Sequence, residues 1–172
     1  SEHCLEVGIL THALCLIGNK KEHKHLSVEK AVLRALYHDA AEILTGDMPT
    51  PVKYRKEELK TAYKKVEKEA KERLLSTLPP YLTEEIRGVF FPEEYETLAY
   101  ENQLIKAADK LSAWIKCEEE LRAGNREFET AALSTRQKIE EMAENLPEVR
   151  IFLDDFYAAY GKTLDQLTEE AD

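Results

Sequence analysis

The dipeptide His38-Asp39 lies within an apolar stretch, residues 28–42, whose spacing is helical. Imidazole and carboxylate groups are costly to bury, and buried polar groups normally have partners. Leu36, Tyr37, Ala40 and Ala41 surround the two, and Glu42 follows. On a helix, Glu42 stands one turn beyond both, at i+4 from His38 and i+3 from Asp39. An imidazole and two carboxylates then project toward one region. A divalent metal satisfies the first two, and the third is placed to orient a water or relay protons beside it. Glu42 taken alone also fits a solvated carboxylate at a helix end, or a support for a metal-bound histidine.

Two further residues of ligand type flank this dipeptide in sequence. His3 continues the stripe Val7, Leu10, Leu14, Ile17, whose offsets of 4, 7, 11 and 14 trace one helix face. His3 therefore points inward at the start of the first helix, as a ligand or as a core histidine bonded to a carbonyl. Asp109 sits opposite the apolar stripe of its own helix, which runs through Leu104, Ala108, Leu111 and Ile115. Its neighbours Ile105, Ser112 and Ala113 suit a second buried face, whereas Lys106 and Lys110 suit an ordinary surface aspartate. Periodicity leaves both open. His12 lies about half a revolution from His3 and cannot share a site with it. His23 and His25 fall in a charged connector, where solvation is the simpler role.

The order His3, His38-Asp39, Asp109 on an all-helical chain resembles the HD-domain metal phosphohydrolases. A longer set of residues narrows the resemblance: Ser1-Glu2-His3, the run from Tyr37 to Tyr54 with His38-Asp39-Ala40-Ala41-Glu42 and Gly46-Asp47-Met48-Pro49-Thr50-Pro51, then Lys106-Ala107-Ala108-Asp109-Lys110-Leu111 and Glu118-Glu119-Glu120-Leu121-Arg122-Ala123-Gly124-Asn125. These look like the bacterial 5'-deoxynucleotidases of that superfamily, the YfbR-like branch, over most of the chain. The resemblance implies an all-α, single-domain helical bundle of the HD type across residues 1–172. It implies one divalent metal held by His3, His38, Asp39 and Asp109, because two-metal members carry further histidines and none follows His38 here. It implies removal of the 5'-phosphate from deoxynucleoside monophosphates by metal-bound water, with Glu42 and Asp47 as catalytic residues.

The same resemblance puts Asp47 at the substrate. Its place in Thr45-Gly46-Asp47, ahead of Pro49 and Pro51, is also plain turn chemistry. Thr50 and Lys53 are candidate contacts to a nucleotide phosphate or sugar, and Lys53 fits a surface position equally well. Mixed nitrogen and oxygen ligation suits Mn, Fe, Co, Ni or Zn without choosing among them. Family members are homodimers. They carry a further segment ahead of the Ser-Glu-His motif, whose arginine and tryptophan touch the substrate; that segment is expected to lie outside residues 1–172, leaving deoxyribose selectivity open. Two alternatives remain: an HD hydrolase of another nucleotide such as a nucleoside polyphosphate, and a catalytically silent helical regulatory module.

Composition agrees with one substantial helical core: 172 residues, 43% apolar and 34% charged. The net charge of −10 argues against a nucleic acid polymer as partner. It leaves room for a mononucleotide, whose phosphate is neutralised locally. No apolar run is long enough to cross a bilayer and no signal peptide is visible, so no membrane partner is expected. Cys4, Cys15 and Cys117 form no CxxC, and Cys4 and Cys15 are too far apart on one helix to bridge. Reduced thiols and a cytoplasmic location follow.

The elements that must position these groups are all helical. Apolar spacing predicts helices over about 2–19, then from a Ser27 N-cap to 42, then 56–78 with the inward stripe Leu59, Tyr63, Val66, Ala70, Leu74. Pro79-Pro80 stops that helix, and others follow over about 83–90, 101–123, 127–145 and 147–160, with a fraying tail at 164–170. Phe152, Phe156, Tyr157 and Tyr160 share one helical face, which suits either a dimer contact or the core.

Overall fold

Residues 2–46, 57–94, 98–157 and 159 are described by the computed structural model. Among them every regular element is helical, as the periodicity predicts. In chain order these are α1 (Glu2–Lys21), α2 (Val28–Leu36), α3 (Glu42–Thr45), α4 (Glu57–Ser76), α5 (Pro80–Phe90), α6 (Ala99–Arg122), α7 (Glu129–Ala143) and α8 (Pro147–Phe156). Single 3₁₀ turns occupy Pro92–Glu94 and Arg126–Phe128. Asp47, Thr50, Lys53, Tyr160 and the expected tail at 164–170 lie outside the described residues.

Helix α6 is the axis of the main core. Leu104, Ala107, Ala108, Leu111, Trp114 and Ile115 are buried along it. Val7, Leu10 and Leu14 of α1 pack on one side, with Ile139 of α7 and Val149 and Phe152 of α8 completing the cluster. The small residues Ala107 and Ala108 leave α6 covered almost all round, and Ser112 on its far side is 1% exposed. The question left open about the Asp109 face is thereby answered: it is a second packed face, against α1. A separate cluster of Ala40, Leu75, Phe90 and Phe91 joins residues 37–41 to α4 and α5.

Several expectations need correction. Helix α4 buries Tyr63, Ala70 and Leu75, whereas Val66 is exposed and Leu59 borders on exposed, because neighbours cover this helix only in part. Helix α5 begins at Pro80 rather than near Thr83; its fixed φ suits a first helical position, where the missing N–H is no loss. Ser27 occupies the N-cap of α2, but its side chain makes no cap hydrogen bond; instead its backbone N–H donates to Glu101 Oε1 at 2.9 Å. Of the described C-terminal aromatics, Phe152 is buried, Tyr157 stacks on Trp114 with centroids 4.2 Å apart, and Phe156 stays exposed. None of the described helices is long and apolar enough to cross a membrane.

Candidate metal centre

Two helix ends bring the ligand candidates together. Gly8 lets α1 press against Leu36 at the end of α2: a Cβ there would stand 3.0 Å from Leu36 Cδ2. His3, more than one turn before Gly8, is thereby carried alongside the residues that follow Leu36.

Those residues are not helical as expected. The stretch 28–42 does not form one helix; α2 ends at Leu36, and residues 37–41 run in turns before α3. The cause is local. Bonding tightens to i→i−3, with Tyr37 N–H on Arg34 O at 3.1 Å and Ala40 N–H on Tyr37 O at 3.0 Å. The His38 side chain completes the stop, its Nδ1 lying 2.7 Å from Ala35 O. Side chains that bond nearby backbone offer the chain an alternative to continued helix.

That bond also sets the tautomer. A carbonyl only accepts, so Nδ1 carries the proton and Nε2 presents its lone pair. The same logic holds for His3. Its Nδ1 is 2.9 Å from Ser112 Oγ, and Ser112 donates its own hydroxyl proton to Glu6 Oε2 at 2.7 Å. The serine therefore accepts from His3 Nδ1–H and leaves Nε2 free to ligate.

Both Nε2 atoms face the same two carboxylates. His3 Nε2 lies 3.6 Å from Asp39 Oδ2 and 3.2 Å from Asp109 Oδ1. His38 Nε2 lies 3.1 Å and 3.8 Å from the same two oxygens. Asp109's other oxygen is held by Lys110 Nζ at 2.8 Å, which aims Oδ1 at the imidazoles. Donors bound about 2.1 Å from one ion stand on the order of 3 to 3.5 Å apart, and the spacing here is close to that. The ligand atoms of His3, His38 and Asp39 all lie within 4.8 Å of one another.

Electrostatics gives the second test of fit. His38 Nε2 is buried and has no hydrogen-bond partner among the described residues. Two unprotonated nitrogens facing two carboxylates need a positive charge between them. Without a metal, protons supply it. The hydrogen bond to Asp109 raises the His3 pKa above the ordinary imidazole value, against burial. Burial acts to lower that of His38, but Asp39 and the Ala35 carbonyl prevail and the net shift is upward. Burial likewise opposes ionised Asp109, yet His3 and Lys110 hold its carboxyl well below the usual range. A divalent cation fits a donor set in which His3, His38 and Asp39 offer ligand atoms within 4.8 Å of one another and Asp109 Oδ1 stands beside both imidazoles.

Glu42 begins α3, and its backbone N–H donates to Asp39 O at 2.9 Å. It stays one turn from the centre through these turns rather than along a continuous helix. His12, His23 and His25 are exposed and take no part. Ser112 and Glu6, which orient His3, escaped the sequence reading as functional residues. Each is three residues from a ligand candidate, on the same helix face, and that spacing is the signal that would have found them. Ser112→Ala should weaken metal affinity about 10- to 100-fold, the usual effect of removing such a support. Metal titration followed by calorimetry checks it; unchanged affinity would show that the hydroxyl does not orient His3.

The comparisons with known proteins identify the family. The sequence profile described as 5'-deoxynucleotidase YfbR-like matches residues 1–160. A 5'-deoxynucleotidase of Vibrio vulnificus is 42% identical over 168 residues, covering 98% of this chain and 84% of the relative. The 5'-deoxynucleotidase YfbR of Escherichia coli is 39% identical over 173 residues, covering 99% of this chain and 84% of the relative. Among solved structures, an HD-domain phosphohydrolase of Listeria innocua superposes with a TM-score of 0.79 at 23% identity, covering 98% of this chain and 83% of that one. That likeness is one of fold, and the fold is the HD-domain fold. With the profile matching residues 1–160 and relatives about 40% identical over nearly the whole chain, the chain belongs to the YfbR-like 5'-deoxynucleotidase family.

Proposed function

We propose that this chain removes the 5'-phosphate from deoxynucleoside monophosphates at a single divalent metal held by His3, His38, Asp39 and Asp109. The observation that carries the reading is the convergence of two tautomer-fixed Nε2 atoms on two carboxylate oxygens. The relatives named 5'-deoxynucleotidase supply the substrate class. Two nitrogens and two oxygens suit a first-row transition metal better than magnesium alone. When bound, such an ion supplies Lewis acidity, drawing charge from phosphoryl oxygens and making water easier to deprotonate.

The chain's own residues do the rest. Ala35 O and Ser112 fix the imidazoles, so the donor set is organised before substrate arrives. Lys110 keeps Asp109 ionised. Glu42 takes a proton from the attacking water and returns one to the leaving alkoxide. Asp47, just beyond Gly46, accepts a sugar hydroxyl and disfavours additional phosphates by charge; Thr50 and Lys53 lie along the same segment. The three free cysteines suit a reducing cytoplasm, and burial with Glu101 and Glu148 nearby pushes the Cys15 thiol up to about 12, which keeps it unreactive.

The test is a rate comparison of dAMP, dADP, dATP and AMP on protein loaded with Mn or Co. Turnover of dAMP should lead, with little release from the triphosphate. Faster turnover of dATP than of dAMP would replace this reading with the polyphosphate alternative.

A further inference from the structure

The outward face of α1 is not what a solvated helix presents. Among residues 2–20 the exposed side chains are Glu2, Leu5, Ile9, His12, Leu16 and Lys20. Their spacings of 3, 4, 3, 4 and 4 trace one narrow stripe along the helix. A helix lying on a core normally turns charged and polar residues outward. Here three of the six are large aliphatics, with Leu5 59%, Ile9 61% and Leu16 40% exposed. The opposite face is already used: Val7, Leu10 and Leu14 lie in the main core, Gly8 meets Leu36, and Gly18 meets Leu26 and Glu148. Helix α1 is therefore apolar on two sides, and its neighbours α2, α6 and α8 occupy one of them. From Leu5 to Leu16 the steps alternate 4, 3 and 4, the a/d seam by which one helix packs along another.

The stripe is complementary to its own reverse. One end is acidic, at Glu2, and the other basic, at Lys20, with the aliphatics and His12 between them. If a second α1 lies antiparallel against it, with the two-fold axis midway between Ile9 and His12, then Leu5 meets Leu16 and Ile9 meets His12 of the second copy. Glu2 then meets Lys20 at both ends. A parallel pair would instead set Glu2 against Glu2 and Lys20 against Lys20. We propose that two copies of this chain pair through this stripe, α1 against α1 and antiparallel, as an isologous dimer. The charged ends select the direction, and the aliphatics supply the buried apolar area. What is assigned is a face and its direction, and a dimer formed elsewhere on the chain would contradict both. His3 belongs to the opposite, inward side of α1, so pairing uses none of the metal ligands.

Sedimentation equilibrium of the purified chain, over a wide range of concentration, should show a monomer–dimer equilibrium. Ile9→Glu should raise the dimer dissociation constant about 30-fold or more, the scale of a lost interface anchor, and Leu16→Glu should do the same. Both positions are exposed in the single chain, so the circular dichroism of each variant should match that of wild type. Glu2→Lys should weaken the dimer about 5-fold or more, because lysine then faces lysine at both ends. Glu2→Lys combined with Lys20→Glu should restore it to within about twofold of wild type, since the acidic and basic ends have only changed places. A parallel pair would not respond in this way, because Glu2→Lys would exchange one like-charge pair for another. A wild-type chain that stays monomeric at every concentration, its stripe met by something other than a second copy, would overturn the proposal. So would a dimer that Ile9→Glu and Leu16→Glu leave intact, because it forms on another face. A dimer indifferent to Glu2→Lys would also overturn it, because its helices do not run antiparallel.

Discussion

Asp39→Ala is expected to lose its metal and, with it, nearly all hydrolysis. Elemental analysis of purified wild type should find about one transition metal per chain, one ion for one donor set, and the variant should hold roughly a tenth of that or less. The reason is geometric. Asp39 Oδ2 is the oxygen nearest His38 Nε2, at 3.1 Å, and it also faces His3 Nε2 at 3.6 Å. Its removal leaves two imidazoles facing each other with one carboxylate between them. Stability gives an independent readout. A ligand at about 1,000 times its Kd adds roughly 4 kcal/mol to the folded state. A chelator should therefore lower the melting temperature of wild type and leave Asp39→Ala almost unmoved. Equal metal occupancy in the two proteins would sink the assignment.

The same centre has a pH dependence whose sign follows from its histidines. Both folded-state pKa values lie above the ordinary 6.5. In the metal-free protein the stability they confer is fully present below about 6.5 and is lost as pH rises through the folded values. Metal binding runs the other way, because the ion must displace those protons. Acid is therefore expected to weaken metal binding by protonating the two imidazoles.

What the sequence disclosed about this centre, and what it concealed, divides along one physical line. Periodicity within a single helix was legible: Val7, Leu10 and Leu14 oriented His3, and the covered face of Ile105 and Ser112 was a live possibility for Asp109. Contacts between helices were not. The serine that fixes the His3 tautomer is 109 residues away in the chain; its spacing from Asp109 marks a shared helix face but not its partner across the helices. The stop of α2 was concealed for a different reason. Residues 28–42 keep apolar helical spacing throughout, yet the His38 imidazole takes the Ala35 carbonyl and the chain turns. A propensity reading adds local preferences and misses one side chain competing for one backbone group. The fate of Phe152 and Tyr157 is the same lesson at the other end. A four-residue aromatic stripe fits core and interface alike, and only the approach of Trp114 distinguishes them.

Glu42→Ala should keep its metal and lose roughly 100-fold or more in rate, the usual contribution of a positioned general acid–base group. The two outcomes separate because Glu42 is tied to the centre by backbone rather than by ligation. Its N–H is bonded to Asp39 O at 2.9 Å, and its own carbonyl accepts from Gly46 N–H at 2.9 Å. The carboxylate is half-buried at the first position of a single-turn helix. Losing it removes a proton carrier while leaving His3, His38, Asp39 and Asp109 in place. Glu42→Gln sharpens the comparison, since it keeps the shape and the hydrogen-bonding ends but cannot take a proton at neutral pH. A proton-transfer role predicts that both variants are slow. A purely supporting role predicts that Glu42→Gln recovers most of the activity. If both variants turn over dAMP within a few-fold of wild type at full metal occupancy, the protons move by another route and Glu42 only braces the turn that carries His38 and Asp39.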